Sequence, residues 1–210
     1  MTITKRRERN RARMRQLILD AAKQLFVKEG FDNVSIRRIA SAIEYSPAAI
    51  YRYFKSKREI LSVLREEGFQ QFVAGQRERL ATYSDPIERL KVGGRGYVRF
   101  AVEQPDYFEL MFCTDCTEVD FVGAQSESSM ESFTLFRQTV EECLETGLFG
   151  DVDGEAAVFS LWASAHGLAH LIITGRVPIM TGGVDLDNLI DGILAFNLRP
   201  ACSGEGDTRR

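Results

Sequence analysis

Apolar positions recur at helical spacing along almost the whole chain. Between residues 12 and 29, Leu17, Ala21 and Leu25 form one row at i, i+4 and i+8, and Ile18, Ala22 and Phe26 form the row beside it. Two adjacent rows make the wide stripe that an amphipathic helix buries. Gly30 stands where a C-terminal cap is needed, and Phe31 can fold back on the helix it ends. Ser35 offers an N-cap for SIRRIASAI, with Ile36, Ile39, Ala40 and Ile43 turned inward. Glu44-Tyr45-Ser46 reads as a short turn. Ser46 followed by Pro47 is a second helix start, because proline at the first helical position has no N–H to leave unpaired. The third helix, about 47–53, is too short to stand without packing, and Ile50 and Phe54 are its anchors. Ser56 caps a much longer fourth helix, about 57–82, with Leu61, Leu64, Phe69, Phe72 and Leu80 toward the interior. Three compact helices with a tight turn between the second and third, followed by a long one, form a helix-turn-helix arrangement.

The helical period continues through the rest of the chain. Helices are expected over about 86–103, 105–112 (started by Pro105), 126–147, 154–174 and 186–198. The segment CTDCTEVDFVGAQ, 113–125, is the least regular internal stretch, and the tail ACSGEGDTRR has the composition of a disordered end. No strand-period segment stands out. The expected fold is all-α: a helix-turn-helix domain with a basic arm over 1–58, a helical bundle over 59–199, and a disordered tail over 200–210. No apolar run approaches the roughly 18 residues that span a bilayer. The start, MTITKRRERNRARMRQ, is basic but lacks an apolar signal core and cleavage site. A cytoplasmic protein without a membrane partner is expected.

Charge changes the picture. The chain of 210 residues has a formal charge of only −3, yet residues 1–58 hold fifteen Lys/Arg against five Asp/Glu and the remainder twelve against twenty-five. A head of net +10 joined to a body of net −13 suits a polyanion-binding module on a body that is not itself a nucleic-acid surface. The third helix and its continuation, SPAAIYRYFKSKR, interleave rings with basic side chains, as a surface would that meets phosphate on one side and a core on the other.

The run SIRRIASAIEYSPAAIYRYFKSKREIL resembles the amino-terminal DNA-binding domain of the TetR family of bacterial transcriptional regulators. The matching features are Ile-Ala in the second helix, Ser before the third, Ile-Tyr within it, and aromatic-Lys-x-Lys leading into the fourth. The resemblance covers about residues 12–62 well. A further run, LWASAHGLAHL, resembles a subgroup of carboxy-terminal domains marked by Trp, His and Gly, here Trp162, His166 and Gly167. The chain departs from many members at Glu44, where they carry Gly, at Ala48-Ala49, where they often carry Gly-Thr, and at Tyr53, where they often carry His. Glu44 suggests a tighter or differently shaped turn.

A recognition helix enters the major groove, whose width admits it, with its amino-terminal end toward the duplex. Pro47, Ala48 and Ala49 then lie closest to base edges, and the alanine methyls can meet thymine methyls. Arg52 is the candidate for guanine or phosphate. Arg37 matches a position that contacts bases or backbone in the family. Ser35, Tyr51, Tyr53, Lys55 and Lys57 are expected as phosphate contacts that position the module. The arm from Lys5 to Arg15 carries seven basic residues for the backbone or the adjacent minor groove.

Useful affinity needs two such modules, so the expected partners are a second copy of the chain and a near-palindromic double-stranded operator. The helices 126–147 and 154–174 are the dimerisation candidates, through Leu144, Ala163, Gly167, His170 and Leu171; the resemblance implies a four-helix interface, two helices from each subunit. It also implies a small-molecule effector, apolar or aromatic, among Phe108, Phe112, Phe133, Trp162 and His166, and repression by steric occlusion. Two other readings stay open. Cys113 and Cys116 with His166 and His170 carry the inventory of a metal- or redox-responsive regulator, although 49 residues between the pairs, from Cys116 out to His166, is far from compact finger spacing. A helical adaptor that binds protein through its basic head is the other. No cofactor fingerprint, phosphate loop, nucleophile elbow or triad pattern is present, so no enzyme, cofactor or dedicated metal site is expected.

Overall fold

The computed structural model describes residues 3–113, 126–147 and 149–198. Among them every regular element is helical: α1 (Ile3–Glu29), α2 (Ile36–Ala42), α3 (Pro47–Tyr51), α4 (Lys57–Thr82), α5 (Pro86–Glu103), α6 (Pro105–Phe108) continued by a π-helical turn (Glu109–Cys113), α7 (Glu127–Glu145), α8 (Gly154–Ile173), α9 (Arg176–Thr181) and α10 (Leu186–Asn197). The all-α expectation matches this architecture. The chain divides into two compact units, one within Met1–Gln71 and Gln104–Ser129, the other within Phe72–Glu103 and Met130–Arg210. The boundary suggested at 58/59 followed the charge reversal. Packing divides the chain elsewhere, because Leu110, fully buried, belongs to the same core as the first four helices.

In the first unit that core is built from Ile18, Leu19, Ala22, Leu25 and Phe26 of α1, Ile36, Ile39 and Ala40 of α2, Ile50, Phe54, and Ile60, Leu61 and Leu64 of α4. The stripe on α1 is real but rotated from its expected place, since Leu17 is 41% exposed and Leu19 is buried instead. The helix also starts at Ile3. The basic arm from Lys5 to Arg15 is therefore part of α1, in a stretch rich in Arg, Lys, Met and Gln, all good helix formers, with no Pro or Gly between residue 3 and Gly30. Gly30 takes the left-handed cap conformation at φ +81°, and Phe31 packs edge-on against Phe26 at 5.2 Å.

The second unit packs α5 against α8, with α10 beside them. One cluster joins Leu90, Val140, Cys143, Ala157, Val158 and Leu198, and another joins Val98, Leu168, Ile172, Val177 and Ile190. Asp153 caps α8 through Ala156 N–H at 2.9 Å, and Asp185 caps α10 through Asp187 N–H at 2.9 Å. Helix α9 was not foreseen. Its Pro178 looks like a breaker but falls in the first turn, where a missing N–H costs nothing. By length and composition α8 could cross a membrane, which corrects the expectation that no apolar run is long enough. Its serines, histidines and glycines interrupt the apolar run without adding charge.

Candidate functional site

Two serines start α2 and α3, and a left-handed residue makes the turn between those helices. The Ser35 hydroxyl accepts from Arg38 N–H at 3.1 Å, and that of Ser46 accepts from Ala49 N–H at 3.3 Å, so both hydroxyl protons stay available to an outside acceptor. Glu44 takes φ +59°. Around it Tyr45 N–H donates to Ala40 O at 2.9 Å and Glu44 N–H to Ser41 O at 3.3 Å, the paired bonds of a Schellman cap. The turn thus has the conformation a glycine would supply. The expectation of a different shape is corrected, and Glu44 carries the backbone strain.

Outward from this frame, Ala48, Tyr51, Arg52 and Lys55 are exposed, Pro47 and Ala49 are partly so, and Ile50 and Phe54 are buried beneath them. Helix α3 ends at Tyr51, so Arg52 sits at its C-cap. Tyr53 is half-buried and packs on the core, unlike Tyr51, which is 57% exposed. Of the tandem arginines on α2, Arg38 is taken by the Glu29 carboxylate, 2.7 Å from Nη2. That guanidinium holds the Glu29 carboxyl below its ordinary range. Arg37 is exposed and enters no ion pair among the described residues.

Lys57 has partners of its own. Its ammonium donates to Phe31 O at 2.6 Å and lies 4.1 Å over the Phe31 ring, and burial lowers its pKa. Arg15 likewise stacks 4.3 Å over Phe54 and donates to Tyr53 O. Both cations bind the head together, so neither is the freely solvated phosphate contact its charge suggests. The start of α4 is closed by Glu59 N–H donating to Ser56 and Lys55 N–H donating to Glu59 at 2.5 Å.

The effector candidates fall into two sets. Phe108 and Phe112 lie in the first unit, ring against ring at 5.0 Å, with Phe69 on the other side of Phe112. Phe133, Trp162 and His166 lie in the second, where Trp162 is 5.9 Å from Phe133. There Tyr97, which the sequence did not single out, organises the polar atoms. Trp162 Nε1 donates to the Tyr97 oxygen at 3.3 Å, and that hydroxyl meets His166 Nδ1 at 2.9 Å. An indole can only donate, so the Tyr97 oxygen accepts from Trp162, while the His166 tautomer sets the direction of the second bond. Burial, and His170 behind it, push the His166 pKa down, which favours the neutral imidazole.

Of the dimer candidates, Ala163, Gly167, His170 and Leu171 are exposed on α8. Leu144 is not on that surface; it packs with the Val140–Cys143 cluster. Cys116 and the side chain of Cys113 lie outside the described residues, as does the 200–210 tail. Among the described residues no three ligating side chains gather.

Residues 18–64 match the model of the bacterial regulatory proteins of the tetR family, and residues 90–196 match that of the tetracyclin repressor-like C-terminal domain. The chain belongs to the TetR family. Among its relatives, the HTH-type transcriptional activator FasR of Mycolicibacterium smegmatis is 27% identical over 193 residues, 85% of this chain and 78% of that one. The HTH-type transcriptional repressor Rv1474c of Mycobacterium tuberculosis is 32% identical over 98 residues, covering 47% of this chain and 45% of its own. A tetR family regulatory protein from Rhodococcus RHA1 shares the fold with a TM-score of 0.71 at 18% identity, over 89% of this chain and 97% of that one. As a TetR family member, the chain is a DNA-binding transcriptional regulator and not an enzyme.

Proposed function

We propose that this TetR family regulator acts as a cytoplasmic homodimeric repressor on a near-palindromic operator and is released by a small molecule bound in its second unit. The observation that carries the dimer is the outer face of α8. Ala156, Phe159, Ser160, Ala163, Gly167, His170 and Leu171 are all exposed along it, with Phe159 at 49% and Leu171 at 45%. A helix this apolar, with small residues at Ala163 and Gly167, suits close approach by a second helix. Its partner helix in a four-helix interface is α10, whose Asn188, Gly192 and Ala195 are exposed, in place of α7, whose Leu144 points inward. On α8 Gly167 is exposed, whereas His166, a packing position by the Trp-His-Gly resemblance, is half-buried.

On DNA, Pro47, Ala48 and Ala49 approach base edges, Arg37 and Arg52 read or clamp, and Ser35, Tyr51, Tyr53 and Lys55 hold phosphate, with the remaining N–H of Lys57 beside them. Half-sites sit about 34–36 Å apart, or a multiple of that. An effector with unequal affinity for the free and DNA-bound states shifts the balance by that difference.

The test is binding to DNA upstream of the chain's own gene across a salt series. A steep negative slope that survives non-specific competitor is expected. Arg52→Ala should cost about 1–3 kcal/mol on the operator and relax specificity, whereas Lys55→Ala should weaken operator and random DNA alike. Equal losses on both DNAs for both variants would overturn this division of roles. Weak binding indifferent to sequence would overturn the operator reading.

A further inference from the structure

Among the described residues, the second unit has buried polar atoms without a hydrogen-bond partner. Gln76, 6% exposed, donates to Ser132 O at 3.2 Å but leaves Oε1 without a partner, and Arg79, one turn further along α4, has a buried Nε without one. An unpaired buried polar atom costs stability, and an arginine cannot relieve the cost by losing its proton. Desolvation works against the Arg79 charge, and Glu78 and Glu103 favour it only through space, Glu103 being paired with Arg99. The chain has also been cleared around this guanidinium. A Cβ on Gly96 would collide with Arg79 Nε, and one on Gly75 would stand 3.0 Å from an Nη atom.

An apolar wall runs from the same place. Phe72, Gln76 and Arg79 share one face of α4 at i, i+4 and i+7, about 10 Å in length. Phe72 packs on Tyr97 at 5.6 Å and on Phe100 at 5.2 Å, Tyr97 bonds Trp162, and Trp162 leads to Phe133.

We propose that the effector is an amphipathic acid, its carboxylate or phosphate taken by Arg79 and its apolar body laid against Phe72, Phe100 and the Trp162 wall. A planar guanidinium pairs with such an oxyanion through two parallel hydrogen bonds, and Gln76 Oε1 takes a donor from the same ligand. This rests on the reading of the second unit as the effector domain and replaces its purely apolar ligand with a charged one.

Trp162 is the only tryptophan, so its emission reports binding directly. Decanoate, decanol and decylamine share one body and differ in the head. Wild type should bind decanoate about 10-fold or more tighter than decanol, with decylamine weakest. Arg79→Gln should erase that preference and leave decanol unchanged. Gly96→Ala, which keeps the guanidinium but displaces it, should lower decanoate affinity too, and an unchanged decanol affinity in both variants guards against a folding artefact. Equal binding of acid and alcohol by wild type, a preference that survives Arg79→Gln, or silence of Trp162 toward all three would overturn the proposal. Operator release is scored separately. Selective decanoate binding without release would sink the effector reading and leave the acid site standing, and release by a neutral compound independent of Arg79 would do the reverse.

Discussion

Replacing Glu44 by glycine should stabilise the head. Glu44 holds φ +59°, where a residue with a Cβ is strained by about 1–2 kcal/mol. Glycine removes that strain but gives back about 0.5–1 kcal/mol through the greater freedom of its unfolded chain. At mid-range the net gain is about 0.75 kcal/mol, which raises Tm by about 1.5–3 °C in a chain of this size. Alanine keeps a Cβ and should gain little, asparagine should fall between, and valine should lose. The order Gly, Asn, Ala, Val isolates backbone strain from the charge of Glu44, which Glu44→Gln removes alone. Global unfolding of a two-unit chain need not be two-state, so a local assay is the sharper one. The Tyr45 amide, bonded to Ala40 O at 2.9 Å, should exchange about 2- to 5-fold more slowly in the glycine variant. If Glu44→Ala matches Glu44→Gly in both assays, the left-handed strain is not what the turn bears.

Gly167→Glu places a charge on the outer face of α8 where a Cβ meets nothing within 4 Å. The fold should keep its stability while light scattering shows a monomer and operator affinity falls by about 100-fold or more; a persisting dimer would exclude this face. The Cys143 thiol, fully buried, is pushed up to about 11 by desolvation and by Asp85 and Glu142. Peptide mapping after iodoacetamide at pH 8 should find it labelled about 100-fold more slowly than an exposed thiol, and equal labelling would contradict its burial. His166 titrates below its ordinary value because the folded chain keeps it neutral, so its contribution to stability is present above pH 6.5 and is lost as pH falls through its folded pKa. Tm should drop between pH 7 and 5, and less so in His166→Gln; an identical drop in both would place the titration elsewhere.

The parts of the head that were legible are those decided within a few residues. Ser35, Ser46 and Ser56 each accept from the N–H three positions on, and Gly30 ends α1, because capping involves only neighbours in the chain. Glu44 was legible as a turn but not as a strained one, since its φ answers to the Schellman bonds around it. What could not be read was which charges were already spent. Arg37 and Arg38 are adjacent and alike in sequence, yet Glu29, nine residues earlier, claims only the second. Lys57 is fixed by a carbonyl 26 residues away. Likewise the α1 stripe was visible, but its rotation toward Leu19 and away from Leu17 depends on which elements close the core, and Leu110 arrives there from far along the chain.

The body shows the same limit in another form. Helical periodicity located α5, α7, α8 and α10 within a residue or two, and the Trp-His-Gly run singled out Trp162 and His166, but neither pointed to Tyr97 between them or to Arg79. An arginine on an amphipathic helix is ordinarily a solvated one, whereas this one is a desolvated charge with Gly96, 17 positions on, packed against its Nε. The one local hint was GGRGYVRF itself, since glycines inside a helix cost about 1 kcal/mol each and tend to mark a close approach. Leu144 illustrates the converse. Its apolar side chain fitted either an interface or a core, and the choice was made by Val140 and Cys143 alongside it. Whether a polar or apolar group is satisfied is therefore a property of two or more segments at once. The sites where chemistry collects are decided by such pairings, and a pattern read one helix at a time recovers the helices first and the sites last.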